Sequence, residues 1–370
     1  MEKILALDLG GTSLKLGLFD GEDIVKTEDK KHNYTGSDLE PVKKDILARI
    51  NSFLSGEQIS AIGIGIAGLI APDDSLYRST VFPSVIGFNL AKYLSKTFGV
   101  PVSIDNDADC GAWGEYYFKK GDFFYVVLGH GIGSAFVRKN GELPYKVRFK
   151  KGTKFDENKN PLPNDLGLRV LISKVEAFPI FAKYGVSVSS VDKAFDKLIS
   201  PDYSGKFRIA ALGSPRALRN LLEAVSGGDF KLASNLAYYE TFIKEKELSK
   251  LKVDDLMVPY DSAISIAELA KFGEPNSKKA YELMGEFLGY GLLKAVDIIK
   301  KDYSLEPEIR IAGPIMNDGN LFFPAVKEYL AKSGQDLNVT PAISFLNGEN
   351  PNLRGVFFKA KVLLDGKLPG

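Results

Sequence analysis

The chain has 370 residues, enough for two domains on the usual length prior, and its 45% hydrophobic and 26% charged residues make an ordinary globular balance. A net charge of +1 at pH 7 offers no basic surplus for nucleic acid, and the single cysteine, Cys110, excludes an internal disulfide and suits a reducing compartment. The longest apolar stretch, 59–71, is too short to span a bilayer, and Asp8 falls where an export signal would still be apolar; neither a membrane partner nor a leader is expected, and the expected location is cytoplasmic.

In chain order, "KILALDLG" (3–10) and "LKLGLFDG" (14–21) read as two strands around a glycine turn, followed by a third strand over 23–29. Leu39, Val42, Ile46, Ile50 and Leu54 recur at helical spacing. "ISAIGIGIAG" (59–68) is a buried strand, 90–99 an amphipathic helix ending at glycine, 100–105 a strand and 107–118 a helix. The opening pattern then returns: strand 122–129, glycine-rich turn "HGIGS" (130–134), strand 134–143. Two such units about 120 residues apart suggest a duplicated α/β element. The stretch 185–260 is helix-like and highly charged, and 262–300 reads as two helices broken at "FGEPN". A strand at 308–314 and helices within 320–334 and 352–366 close the chain.

"GIGIAG" (63–68) satisfies G-x-G-x-x-G, but the loop "LIAPDDS" follows where a dinucleotide site needs a helix. There is no P-loop, no H-E-x-x-H and no paired C-x-x-C, and one cysteine with two histidines (His32, His130) makes no cysteine–histidine zinc site. "DLGGTSLK" (8–15) is more specific. Gly10 and Gly11 let backbone N–H groups approach an anion, Thr12 adds a hydroxyl, Lys15 a positive charge, and Asp8 at the strand end can hold magnesium through water. By itself the pattern fits equally an ordinary hairpin turn with a polar rim. "SIDNDADCGAW" (103–113) crowds Asp105, Asp107 and Asp109 into five positions, as a metal cage, a base with neighbours or a solvated turn.

Taken together, "DLGGTSLKLGLFD", "GIGIAGLI", "PVSIDNDADCGAWGE", "LGHGIGSAFV" and "IRIAGPIMNDGNLFFPAVKEYL" resemble, in order and spacing, the motifs of the ROK family, which contains sugar kinases of the actin/hexokinase superfamily. The resemblance implies an α/β, two-lobed actin-like fold (ribonuclease H-like and duplicated) with a central cleft. Its lobes would be 1–108 plus 356–370, and 109–355 with a helical, charged insertion at about 185–260. It implies ATP- and magnesium-dependent phosphorylation of a hydroxyl on a sugar or sugar-like polyol. Asp8, Gly10, Gly11, Thr12 and Lys15 match the first phosphate motif, Gly131, Gly133 and Ser134 the second, and Gly313 the strand end near the adenosine. Asn106 and Asp107 match the family's sugar-holding pair, with Asp107 the general base and an ionised carboxylate at a helix N-terminus. Asp105 is then a metal-side helper at most, and Asp109 is expected to cap the helix or face solvent.

Other positions depart from the family. Its "GEIGH" segment is best matched by "DLGL" (165–168), with Asp165 for the glutamate and Leu168 for the histidine, and its zinc cysteines are missing, so no zinc is expected. "VEAFPIF" aligns Glu176 with a sugar-contacting glutamate, Gly68 closes the run beside the sugar, and Ser84 stands for the family's asparagine. The phosphate machinery is kept and the sugar pocket altered. Alternatives are a non-catalytic sugar- or nucleotide-binding protein on this fold, and a kinase or ATPase for a non-sugar substrate; the base and both glycine turns count against the first. Homodimerisation is left open.

Overall fold

Alternation along the first strands decides which residues meet which helices. The computed structural model describes residues 2–34, 38–79, 81–129, 131–143, 170–189, 191–192, 206–226, 236–257, 262–335 and 337–366. β1 (Lys3–Leu9), β2 (Ser13–Asp20) and β3 (Asp23–Lys31) form an antiparallel meander. β4 (Ala61–Ile66) runs parallel to β1, and β5 (Val102–Asn106) parallel to β4, giving the order β3-β2-β1-β4-β5. Successive side chains of a strand point to opposite faces. Leu5, Leu7, Leu9, Ile62, Ile64, Ile66 and Ile104 therefore share one core with α1 (Leu39–Leu54) and α2 (Leu90–Phe98). Ile4, Ala6 and Ala61 face the other way, into a core with Cys110 of α3 (Asp107–Phe118) and with Leu353, Val356, Phe357 and Ala360 of the C-terminal helix (Pro351–Asp365).

That second face is packed backbone to backbone. A methyl group added at Gly355 would lie 1.7 Å from the Cys110 carbonyl oxygen; at Gly114, 2.0 Å from that of Pro351; at Gly63, 2.3 Å from that of Val356. The C-terminal helix thus rests directly on α3 and β4. The glycines of "GIGIAG" make room for a helix lying across the strand, which is why the run is glycine-rich without being a dinucleotide loop. Glu115 of α3 fixes the chain just before this helix, accepting from the Ile343 and Ser344 N–H groups at 2.8 and 3.0 Å.

The chain divides into two compact units: Met1–Val126 with Ser134–Asp165 and Pro341–Gly370, and Val127–Gly133 with Leu166–Thr340. The first contains the five-stranded sheet, α1 to α3 and the C-terminal helix. A four-stranded sheet has the order β9-β8-β6-β7, formed by β6 (Phe123–Leu128), β7 (Ile132–Val137), β8 (Glu308–Ala312) and β9 (Val339–Pro341). β7 starts at Ile132, so Gly133 and Ser134 lie in a strand and not in the turn expected for them; the Gly129 N–H bonds the Gly131 carbonyl at 3.1 Å and turns the chain earlier. In the second unit α4 (Lys174–Lys183) and α5 (Pro275–Tyr303) meet through Phe181 and Phe287, with ring centroids 4.9 Å apart. The charged stretch 185–260 lies partly outside the described residues; its described parts include helices Leu218–Val225 and Leu236–Glu245. No helix among the described residues is long and apolar enough to cross a membrane.

Alanine normally stabilises a helix interior over glycine by about 0.5–1 kcal/mol. At Gly355 the sign should reverse, because a backbone must move: Gly355→Ala is expected to lose about 2 kcal/mol or more in urea unfolding. Gly129→Ala, with open space around its added methyl, should stay within about 0.5 kcal/mol of wild type.

Candidate active site

Asp8 ends the face of β1 that carries Ile4 and Ala6, so its carboxylate points toward the C-terminal helix. It is 1% exposed and is held from two sides. The Lys15 ammonium, its cross-strand neighbour, donates to Oδ2 at 3.1 Å, and the Asn352 amide donates to Oδ1 at 3.1 Å. Burial alone would lower the Lys15 pKa; the charges of Asp8, Asp29 and Asp107 outweigh it, and the net shift is upward. A cation and a carboxylate are thus fixed side by side at the mouth of the first glycine turn.

At the end of β5 the three crowded aspartates separate into three environments. Asp105 is 1% exposed and pairs with the Lys359 ammonium of the C-terminal helix at 2.5 Å. That contact offsets its charge. Asp109 is fully buried, so it neither faces solvent nor caps the helix, as was expected of it. The cap is Asn106, whose Oδ1 accepts from the Ala108 and Asp109 N–H groups at 2.8 and 3.3 Å. Its amide nitrogen donates to the Gly68 carbonyl at 2.8 Å. Asp107, the first residue of α3, stays partly exposed, with Oδ1 accepting from the Ala108 N–H at 2.9 Å. Burial, and then the Asp8 charge, push its carboxyl up to about 6 against the pull of backbone N–H groups and Lys15. Desolvation and a like charge thus outweigh the helix N-terminus, and the group is still mostly ionised at neutral pH, as expected.

The first glycine turn is braced by a residue whose role the sequence did not disclose. The His32 N–H donates to the Thr12 carbonyl at 3.0 Å, and its ring Nε2 lies 2.9 Å from the Gly10 carbonyl oxygen. The ring stacks on Tyr34 at 4.0 Å with planes 7° apart. Gly10, Gly11, Thr12 and Lys15 are brought together with Asp8 in this turn. Asn106 brings Gly68 to Asp107. Gly68 has φ +154°, and a methyl there would lie 2.6 Å from the Arg78 carbonyl oxygen, so no other residue fits. Ser79 ties the following loop, donating to the Ala67 carbonyl at 2.7 Å and accepting from the Val81 and Phe82 N–H groups. Ser84 sits in the short helix Pro83–Val85, its hydroxyl buried without a hydrogen-bond partner among the described residues.

Ser134, in the first unit, also buries a hydroxyl that has no partner among the described residues. Gly131, Gly133, Glu176 and Gly313 belong to the second. Gly313 has φ +111° and would set a methyl 2.2 Å from the Leu128 carbonyl oxygen, so the β8 end requires glycine. Glu176 closes a capping box with Ser173 and accepts from the Tyr290 hydroxyl at 2.8 Å; the Ser173 contacts, foremost, hold its carboxyl down at about 2. Asp165 and Leu168 lie outside the described residues. Among the described residues no group of three or more His, Cys, Asp and Glu could hold a metal ion.

Residues 4–144 match the model of the ROK family. Over these residues the chain is similar to the ROK family. Within this matched segment lie Asp8, the first glycine turn, Gly68, Ser84, Asn106, Asp107, Gly131, Gly133 and Ser134. The chain is 34% identical over 158 residues to a beta-glucoside kinase of Listeria monocytogenes, covering 40% of this chain and 51% of that protein. It is 30% identical over 141 residues to a glucokinase of Streptomyces coelicolor, covering 36% and 43%. It therefore spans about half the length, or less, of these curated relatives. A crystal structure of a ROK family glucokinase from Streptomyces griseus, in complex with glucose and AMPPNP, superposes with TM-score 0.63 at 19% identity, over 97% of this chain and 99% of that one. That likeness shows the fold: α/β, of the actin-like ROK kinase type.

Asn352, Lys359 and His32 were missed from sequence. The first two reach Asp8 and Asp105 from 344 and 254 positions away (352 − 8 and 359 − 105), and no local pattern marks them. Asp107 carries a stability consequence. Its folded pKa of about 6 lies above the ordinary aspartate value, so the folded state binds the proton more tightly and stability falls as pH rises toward 6. Asp107→Asn is expected to be more stable than wild type at pH 7.5 by about 1–3 kcal/mol, the gap closing as pH falls from 6 to 4. Urea unfolding at pH 4, 5.5 and 7.5 measures it; a pH-independent gap contradicts the raised pKa.

Proposed function

We propose that the chain is an ATP-dependent kinase that phosphorylates a hydroxyl of a sugar or sugar-like polyol, with Asp107 as general base. The observation that carries this reading is the pairing of a partly exposed carboxylate, poised near pH 6, with the neighbouring Asp8–Lys15 pair at a glycine turn. The kinase names of the relatives support it. Asp105 is spent on Lys359 and Asp109 is buried, which leaves Asp107 as the accessible base of the three.

Phosphoryl transfer asks the protein to position an acceptor hydroxyl, spread the charge of the transferred group and remove a proton. Asp107, about nine-tenths ionised at pH 7 if its pKa is about 6, takes that proton. Asn106 holds the helix terminus and the Gly68 carbonyl in place, so the base and the acceptor side keep one geometry. Lys15 and the backbone of Gly10 to Thr12 meet the phosphates. The residues present fit magnesium: Asp8 is a lone fixed carboxylate, and this ion is commonly held by one or two carboxylates together with waters and phosphate oxygens. Bound there, the ion supplies charge neutralisation at the phosphates. In this reading Gly131, Gly133, Ser134 and Gly313 serve nucleotide binding, and Glu176 and Asp165 sugar binding. Zinc has no part, the whole chain having one cysteine and two histidines. Glucose and N-acetylglucosamine are not the preferred acceptors in this proposal, because Ser84, Asp165 and Leu168 stand where the family places its longer hydrogen-bonding side chains.

Asp107→Ala is expected to lower kcat by about 10²- to 10⁴-fold with ADP binding retained, and Asp105→Ala by less. Wild-type kcat/KM should rise tenfold per pH unit below about pH 6 and level above it. Coupled ADP-release assays over glucose, N-acetylglucosamine, mannose, fructose, deoxy-sugars and inositols read both activity and acceptor. Near-wild-type turnover by the Asp107 variant sinks the base assignment, and glucose ranking first sinks the acceptor assignment. After chelation magnesium alone should restore activity; a stoichiometric zinc required for it contradicts the proposal.

A further inference from the structure

The peptide joining Gly10 and Gly11 is trans and planar, so the Gly10 carbonyl and the Gly11 N–H point in opposite directions. Whatever holds the carbonyl therefore aims the amide. The group that holds it is the His32 ring, with Nε2 2.9 Å from the carbonyl oxygen. Since a carbonyl only accepts, Nε2 carries the proton and donates. The ring is itself fixed. It stacks on Tyr34 at 4.0 Å and tilts against Phe82 at 5.7 Å. The Tyr34 hydroxyl donates to Asp45 of α1 at 2.5 Å, and Arg49 of the same helix binds Asp45 at 2.7 Å and the Lys30 and Lys31 carbonyls at 3.2 and 3.1 Å. The end of β3 is thus bolted to α1, and His32 projects from it onto the turn. Its own N–H draws the Thr12 carbonyl to the same side at 3.0 Å. The Gly11 N–H has no hydrogen-bond partner among the described residues.

We propose that His32 is a positioning residue for anion binding: by pinning the Gly10 carbonyl it turns the Gly11 N–H toward a phosphate oxygen of the bound nucleotide. This rests on the kinase reading above for the identity of the anion. The stack and the hydrogen bond are separable. Phenylalanine keeps the ring and loses the donor; glutamine loses the ring and keeps an N–H donor at the end of a chain long enough to reach the carbonyl.

Calorimetric titration of the full chain in excess magnesium, with ADP, inorganic tripolyphosphate and adenosine as probes, tests the proposal. His32→Phe is expected to weaken ADP and tripolyphosphate by about tenfold and leave adenosine unchanged. His32→Gln should stay within about threefold of wild type for all three probes. Thermal unfolding of each variant identifies one that does not fold, and His32→Met, a second side chain without a donor, then takes the place of the Phe variant. Unchanged ADP binding in the donor-less variant overturns the proposal, as does a Gln variant as weak as the Phe variant, or a loss for adenosine equal to that for ADP. Wild type that binds neither ADP nor tripolyphosphate overturns the kinase reading and this inference together, whereas wild type that binds both alongside an unaffected Phe variant overturns the inference alone.

Discussion

The backbone-to-backbone seat of the C-terminal helix on α3 and β4 is the contact from which the site follows. Glycine at 63, 114 and 355 lets three carbonyl oxygens lie where side chains would otherwise begin. At that distance a one-turn slip is not available, and the polar residues of the helix arrive in register. Asn352 meets Asp8 and Lys359 meets Asp105, each supplying a partner to a carboxylate that burial would otherwise make costly. The arrangement resembles a lock more than a brace: the packing sets the register, and the buried pairs penalise any other.

The electrostatics of the β5–α3 junction then have a simple logic. Three carboxylates in five positions cannot all be ionised and exposed to one another without cost. One is paired with a lysine, one is enclosed, and one remains at the surface of the site with an elevated pKa. Burial raises the pKa of Asp107 most, Asp8 adds to the rise and Lys15 opposes it, which brings the group to about 6. A base in that range is ionised at neutral pH yet basic enough to accept a proton.

Much of the first unit is legible in the sequence because its signals are local. The strand pair around Gly10 and Gly11, the helical spacing of Val42, Ile46 and Ile50, and the α2 stop at Gly99 each depend on a few neighbouring residues. The motif that places Asp107 at a helix start is equally local, and Asn106 before it is a strong capping residue. Two local readings failed for non-local reasons. Asp109 looks solvent-facing until the C-terminal helix closes over α3, and Gly133 and Ser134 look like turn residues until strand pairing draws them into β7.

The sequence by itself determined the alternation of elements and the two glycine hairpins, since periodicity, turn chemistry and capping act over a handful of residues; Asp107 as candidate base rested on the resemblance of its motif to a family's. Only the tertiary structure decided which carboxylates are neutralised, what the pKa of Asp107 is, and which histidine braces the turn. Those properties depend on desolvation and on partners within a few ångströms: Asp8 and Lys15 for the pKa of Asp107, and Asn352, Lys359 and His32 for the rest, from chain positions that no sequence window joins to the site.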